Sequence, residues 1–468
     1  MKKKFDLELS PEVMKQMGED AIKAVIEHIM HLPESPSFHL EGNEEISRAL
    51  KESASEDGAD FQSLLNFLMQ RIIPFSINTP HPSYIAYIPG GGLYASAVAD
   101  FIGAATNRFT GTWFMTPAAA RIENNVLDWF SQWMGYPDSA RGIFTSGGSL
   151  ANFSAVVAAR KHIIGDDVAK GTIYASNQTH HCVMKVASLA GIPENNFRLL
   201  DVDEDYRAIP ELFEKVIKSD LRKGMKPFLI VGNAGTTNTG AIDPLVELAD
   251  IAKKYGLWYH IDGAYGGFFN ICEEGKRKLD GIEQSDSIVL DPHKGLFIPY
   301  GSGSLLVKEG ELLRRAHILS ADYMQDQYTP GDEVNPSEYS PELSRPFRGL
   351  RVWLPLKLYG VHAFRENLEE KLYLAKWLYD KIKAEPDFEC TSPPDLTVIA
   401  FRYRPKKGDI NEANRKLYKD IINSKKFYLS TTLLHGDFYL RCCILSFRTH
   451  QAQVEEAFKI IREKAAKD

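Results

Sequence analysis

Residues 258–267 read Trp258-Tyr259-His260-Ile261-Asp262-Gly263-Ala264-Tyr265-Gly266-Gly267. A short strand-like run, Trp258–Ile261, closes on an acid, and small residues follow. Just upstream, Pro244–Tyr255 carries apolar residues at helical spacing. The same unit recurs on both sides. Short runs of strand character occur at Gly142–Thr145, Thr172–Ala175, Phe197–Leu200, Phe228–Val231, Ser287–Leu290 and Ser304–Val307. Helical patterns at Leu150–Ile164 and Pro210–Ser219 lie between them. Strand–helix alternation at this spacing predicts an α/β domain with a mostly parallel sheet covered on both faces. Ligands in such sheets bind beyond the carboxyl ends of the strands, so the residues that follow strands deserve the closest reading.

The flanks differ from this core. Residues 1–75 read as largely helical, with Ser10-Pro11 as a helix start, Val25, Ile26, Ile29 and Met30 at helical spacing, and a second apolar helix over Phe61–Ile73. Neither helix has a large partner nearby in sequence, so the segment is expected to pack on another domain or another subunit. Residues 306–350 read mostly as loop, rich in Pro, Asp, Ser and Tyr. A long helical stretch from Leu350 to about Lys383 follows. Strands are then expected at Thr397–Arg404, Phe427–Thr432 and Phe438–Phe447, with a closing helix over Gln451–Ala466. The expected division is a helical N-terminal segment (1–75), a large α/β domain (76–350) and a small α+β domain (351–468), as a length of 468 residues allows.

Composition narrows the function. Apolar residues make up 44% and charged residues 25%, with a net charge of −7, which is the profile of a globular protein without the basic footprint of a nucleic-acid binder. No apolar run reaches the length of a membrane span. The basic start Met1-Lys2-Lys3-Lys4 lacks the apolar core of a signal peptide. The five cysteines (Cys182, Cys272, Cys390, Cys442 and Cys443) are odd in number and form no Cys-x-x-Cys. They suggest neither a disulfide framework nor a metal site, and a cytoplasmic location is the expectation.

Four constellations follow strands. Ser287–Leu290 leads into Asp291-Pro292-His293-Lys294, which places a lysine beside a histidine just past a strand end. A lysine there can form a Schiff base with an aldehyde cofactor. Asp262 ends its own strand, and a carboxylate at such a point can pair with a cofactor's pyridine nitrogen or cap a helix. The small Ala264 leaves room for a ring. Thr145-Ser146-Gly147-Gly148-Ser149 opens a helix and can cradle a phosphate on exposed N–H groups, or serve as an ordinary turn. His180, in Ser176-Asn177-Gln178-Thr179-His180-His181, can stack on a ring or act as a hydrogen-bonded structural histidine.

Taken together, phosphate cradle, stacking ring, acid and lysine in this order resemble the pyridoxal 5'-phosphate (PLP) dependent decarboxylases, the group that includes aromatic L-amino acid, histidine and glutamate decarboxylases. The likeness runs from about His81 to Arg351. It implies a large domain of the aspartate-aminotransferase type (fold type I), PLP as cofactor, an amino-acid substrate that loses its α-carboxylate, and a homodimer with shared active sites. By resemblance Lys294 carries PLP, with His293 beside it. Asp262 faces the ring nitrogen, His180 stacks on the ring, and Ala264 supports its other face. Gly148 and Ser149 hold the phosphate, and Thr237 places a hydroxyl near the cofactor. Tyr323, in Ser320-Ala321-Asp322-Tyr323-Met324, matches the loop tyrosine that protonates Cα. Tyr87, Trp113 and Ser344 are implied at the substrate, Trp113 from a partner subunit.

Three positions depart from the animal aromatic enzymes. Asp291 replaces an asparagine near the phosphate, Gly111 a phenylalanine at the dimer interface, and Ser344 a glycine. An aromatic or imidazole amino acid is the expected substrate. Rival readings are an aldehyde synthase of the same group, a carbon–carbon lyase acting on phosphorylated amino alcohols, and a catalytically dead relative. Tyr323 and His180 favour simple decarboxylation over the first, because those synthases often carry phenylalanine or asparagine at these positions. Lys294 and Asp262 are both present, which argues against the last.

Overall fold

The computed structural model describes residues 7–318, 329–331 and 333–466. Seven strands form the central sheet: β1 (Arg141–Thr145), β2 (Gly171–Ser176), β3 (Phe197–Leu200), β4 (Lys226–Asn233), β5 (Trp258–Asp262), β6 (Ser287–Leu290) and β7 (Gly303–Val307). Their order is β1-β7-β6-β5-β4-β2-β3. The pairs from β6 to β3 are parallel, and β7 runs antiparallel to both of its neighbours. All seven expected strands are present, with ends that differ from expectation by two residues at most.

The central strands are buried along their whole length, which explains why they read as short continuous apolar runs rather than alternating ones. One face of the sheet packs against the helices Gly148–Ile163, Cys182–Leu189 and Gly310–His317. The other packs against Pro117–Trp133, Pro210–Arg222 and Leu245–Tyr255. Helix Gly148–Ile163 buries Ala151, Ala155, Ala158 and Ala159, and these small side chains let it lie close to the sheet.

A second sheet, ordered β10-β11-β9-β8, is antiparallel throughout. It consists of β8 (Phe388–Cys390), β9 (Val398–Tyr403), β10 (Ser430–Leu434) and β11 (Asp437–Cys443). Helix Leu350–Lys383 connects the two sheets and is interrupted at Gly360, whose φ of 74° and ψ of 158° break the helical path.

Among its described residues the stretch 306–350 is mostly loop, as expected, but it also contains helices Gly310–His317 and Pro336–Tyr339. The first buries only Gly310, Leu313 and Ala316 among charged neighbours, so its apolar signal is thin. The C-terminal region also contains a helix at Ile410–Ile422 and the edge strand β8, neither of which was expected.

At the N-terminus, helix Pro11–Met30 starts at Ser10 as foreseen, with the Ser10 side chain accepting from the Val13 N–H, and it buries none of its residues. The second expected helix is an α-helix at Phe61–Phe67 that continues as a π-helical turn over Leu68–Ile72. Among the described residues no helix is long and apolar enough to cross a membrane.

Candidate active site

A cavity of about 430 Å³ opens at the carboxyl ends of the strands. Its lining includes all eight residues expected at the cofactor: Gly148, Ser149, His180, Thr237, Asp262, Ala264, His293 and Lys294. Ser146, Gly147, Asn152, Cys182, Asn233 and Asp291 join them.

The turn after β1 forms one end of this cavity. Gly147 (φ 155°) precedes helix Gly148–Ile163 and supplies no side-chain cap; its carbonyl accepts from Leu150 and Ala151, which leaves the Gly148 and Ser149 N–H groups at the helix start without a side-chain cap. A Cβ on Gly303 of β7 would lie 2.6 Å from the Gly147 Cα, so Gly303 must be bare for the two segments to pass, while Gly147 is held to glycine by its φ. An anion is the natural occupant of such a helix start.

Lys294 lies just past β6, in the short helix Pro292–Gly295. The Gly90 backbone presses against this segment, where a Cβ would come within 2.0 Å of the His293 carbonyl oxygen. The Lys294 Nζ is 3.0 Å from Asp291 Oδ2, and the side chain is 24% exposed. Burial disfavours its ammonium form, but the Asp291 and Asp262 carboxylates outweigh this and hold its pKa above the ordinary lysine value. Asp291 is buried, and its Oδ1 has no hydrogen-bond partner.

His293 donates from Nδ1 to the Ser302 carbonyl at 2.5 Å, and burial lowers its pKa. The ring is therefore neutral near pH 7, with Nε2 free of a proton. Burial likewise lowers the pKa of His180, with Asp262 opposing, which leaves a neutral ring at the cavity wall.

Asp262 ends β5 across from Asn233 on β4. Its Oδ1 accepts from the Ala264 N–H at 3.2 Å and its Oδ2 from Asn152 Nδ2 at 3.3 Å. The Thr237 carbonyl accepts from Arg441 of β11 at 2.5 Å, and the same guanidinium donates to the Tyr87 carbonyl at 2.9 Å. Arg441 of the second sheet thus clamps the loop that carries Thr237.

The expected substrate residues do not line this cavity. Tyr87 is 56% exposed, with φ 49°. Ser344 is exposed beside the buried Arg345–Glu123 ion pair. The Trp113 backbone N–H donates to Asn335 Oδ1 at 3.1 Å, while its indole N–H is buried without a partner. At Gly111 a Cβ would come within 2.0 Å of the Leu343 carbonyl oxygen, so the backbone of the 335–345 segment occupies the room that a larger side chain needs. Tyr323 lies outside the described residues.

Sequence reading missed Asn233 and Cys182 at the cavity. Register brings Asn233 beside Asp262, and no local motif signals it. A helix start free for an anion, an amine on a strand end and a carboxylate facing it across the cavity fit a cofactor with a phosphate, an aldehyde and a ring nitrogen.

Residues 44–404 match the family model described as "Pyridoxal-dependent decarboxylase conserved domain". The chain is 36% identical over 449 residues to an aromatic-L-amino-acid decarboxylase of Bacillus atrophaeus, covering 95% of this chain and 94% of that protein. Among solved structures, Oryza sativa TDC with PLP and tryptamine superposes with a TM-score of 0.94 at 26% identity, covering 99% of both chains. Rhodiola rosea 4-hydroxyphenylacetaldehyde synthase superposes with a TM-score of 0.91, also at 26% identity, covering 98% of this chain and 99% of that one.

Proposed function

The chain belongs to the pyridoxal-dependent decarboxylase family and is a PLP-dependent carboxy-lyase, and from that premise we propose that it converts an aromatic L-amino acid to the amine and carbon dioxide. The observation that carries this reading is the cavity itself, in which Lys294, Asp262, His180 and the open helix start at Gly148 meet. The aromatic substrate class rests on the 36% identical bacterial relative, whose name specifies it.

When bound, PLP supplies an electron sink for the pair left by the departing carboxylate. In our reading Lys294 would hold the cofactor through its amine. Gly148 and Ser149 hold its phosphate with helix N–H groups. Asp262 accepts from the protonated ring nitrogen, so the sink stays charged. His180, neutral and therefore free to lie flat, stacks on the ring, with Ala264 at the other face. His293 orients Lys294 from the adjacent position, and Thr237 offers its hydroxyl at the cofactor's edge. Tyr323 delivers the proton to Cα.

Tyr87, Trp113 and Ser344 contact substrate in an assembled homodimer. The N-terminal helices support this assembly, because Ile22, Ile26, Leu64 and Phe67 lie exposed on them and apolar surface of this kind marks an interface. In the same reading residues 1–75 form the dimerisation segment, 76–350 the cofactor domain and 351–468 the small domain. The aldehyde-synthase alternative is disfavoured by His180 and Tyr323, both of the amine-forming type.

Borohydride reduction of the loaded protein tests the central assignment. Wild type should fix PLP to the chain and Lys294→Ala should not, with loss of amine formation. Covalent fixation in the variant would refute Lys294 as the carrier.

A further inference from the structure

Strand β5 turns Trp258, His260 and Asp262 to one face, since side chains alternate along a strand. That face meets helix Gly148–Ile163. Trp258 Nε1 donates to Ser287 Oγ at 2.8 Å. Ser287 Oγ lies 2.8 Å from His260 Nδ1, and His260 Nε2 lies 2.8 Å from Asn152 Oδ1. Asn152 Nδ2 reaches Asp262 Oδ2 at 3.3 Å. His260 and Ser287 are register partners on β5 and β6. All of these side chains are buried.

The chain has one polarity. An indole N–H only donates and a carboxylate only accepts, so both ends are fixed. Asn152 must turn its amide N–H to Asp262, which leaves its oxygen for His260. Burial lowers the His260 pKa to about 4, so the ring carries one proton near pH 7, and Asn152 requires that proton on Nε2. Nδ1 then accepts from the Ser287 hydroxyl, whose oxygen takes the Trp258 N–H. The opposite tautomer would turn the Asn152 oxygen onto a carboxylate.

We propose that Asn152, His260, Ser287 and Trp258 are positioning residues that fix the Asp262 carboxylate in the orientation it presents to the cofactor ring nitrogen. The inference rests on the assignment of Asp262 to that nitrogen. It gives a buried histidine, a serine and a tryptophan that do not line the cavity a share in the chemistry, transmitted through hydrogen bonds. Asn152 links this chain to the cavity, whose wall it shares. Because the ring is neutral, the chain adds no charge that would compete with the ring nitrogen for Asp262.

Chain order gives a graded forecast for rate and ring N–H signal that stability alone does not, and this makes the inference testable. Asn152→Leu, Ser287→Ala and Trp258→Phe are compared in the PLP-loaded protein for kcat, KM, thermal unfolding and the proton NMR signal of the cofactor's ring N–H. Asn152→Leu removes a hydrogen bond to a charged group, so kcat should fall roughly ten- to a hundredfold with KM little changed. The N–H signal should shift with it. Ser287→Ala should have a smaller effect of the same kind, and Trp258→Phe the smallest on both readouts.

A merely structural role predicts that kcat falls only in step with thermal stability and that the ring N–H signal stays where it is. Trp258→Phe as damaging to kcat as Asn152→Leu would overturn the inference. So would an Asn152→Leu loss of the same size in an Asp262→Asn background, where little should remain to be lost. Should Asn152→Leu fail to fold, Ser287→Ala in both backgrounds makes the same comparison. A loaded wild type with no ring N–H signal would remove Asp262 from the cofactor nitrogen and take the inference with it.

Discussion

Asp291 holds Lys294 at 3.0 Å, and replacing it with asparagine should change how the protein takes up its cofactor. Two unit charges at that distance attract by about 5 kcal/mol at an effective dielectric of about 20. This is an upper bound, because Lys294 is partly exposed and Asp262 also supports its charge. An opposite charge at such a site typically shifts a pKa by about 1–3 units, and its removal here should lower the Lys294 pKa. Only the neutral amine attacks an aldehyde, and its population grows tenfold for each unit by which the pKa falls. Asp291→Asn should therefore speed covalent capture of PLP by roughly ten- to a hundredfold near pH 7.5. The whole pH profile of the capture rate should move to lower pH. Stopped-flow absorbance after mixing apoprotein with PLP measures this directly. Faster binding of the phosphate alone, from removal of a nearby carboxylate, would raise the rate without moving the midpoint. An unmoved midpoint would therefore refute the argument that Asp291 sets the charge state of Lys294.

Three further outcomes are expected. Glu123→Gln strands the buried Arg345 guanidinium and weakens the bond from the Gly349 N–H, so denaturant titration should show a loss of about 3–5 kcal/mol, and a loss under 1 kcal/mol would contradict the pairing. Tyr323→Phe, assayed under air, should lower the amine yield and release aldehyde, ammonia and peroxide, whereas an unchanged amine yield without peroxide would remove Tyr323 from the proton step. Sedimentation should give a dimer of the 52.7 kDa chain, and a fully active monomer would exclude shared sites.

The sequence made the sheet legible because β2, β5, β6 and β7 are buried along their length and so read as compact apolar runs. It was less informative where burial is thin. Strand β8 is three half-buried residues at a sheet edge. Helix Ile410–Ile422 buries only Asn414, Leu417 and Ile421, and one of these is polar. The site was readable where a residue follows its own strand, as Asp262, His180 and Lys294 do. It was not readable where two distant strands or helices bring a residue in, as with Asn233 beside Asp262 or Asn152 between His260 and Asp262. His260 stood within the quoted strand motif and Asn152 three residues past the phosphate turn, but only the fold shows that they touch. Gly111 is similar, since its need for a bare Cα comes from Leu343, more than two hundred residues away.

Strand β7 carries a consequence for biosynthesis. Strand β1 lies at the sheet edge and pairs with β7 alone, Thr145 opposite Gly303. The ribosome therefore releases the phosphate turn roughly 160 residues before the only strand that can hold it, an interval of about 8–30 s at ordinary elongation rates. During that interval β1, which leads into the Gly147–Ser149 turn, has no strand to pair with. Lys294 emerges only shortly before β7, so the phosphate turn and the lysine are brought together late in synthesis.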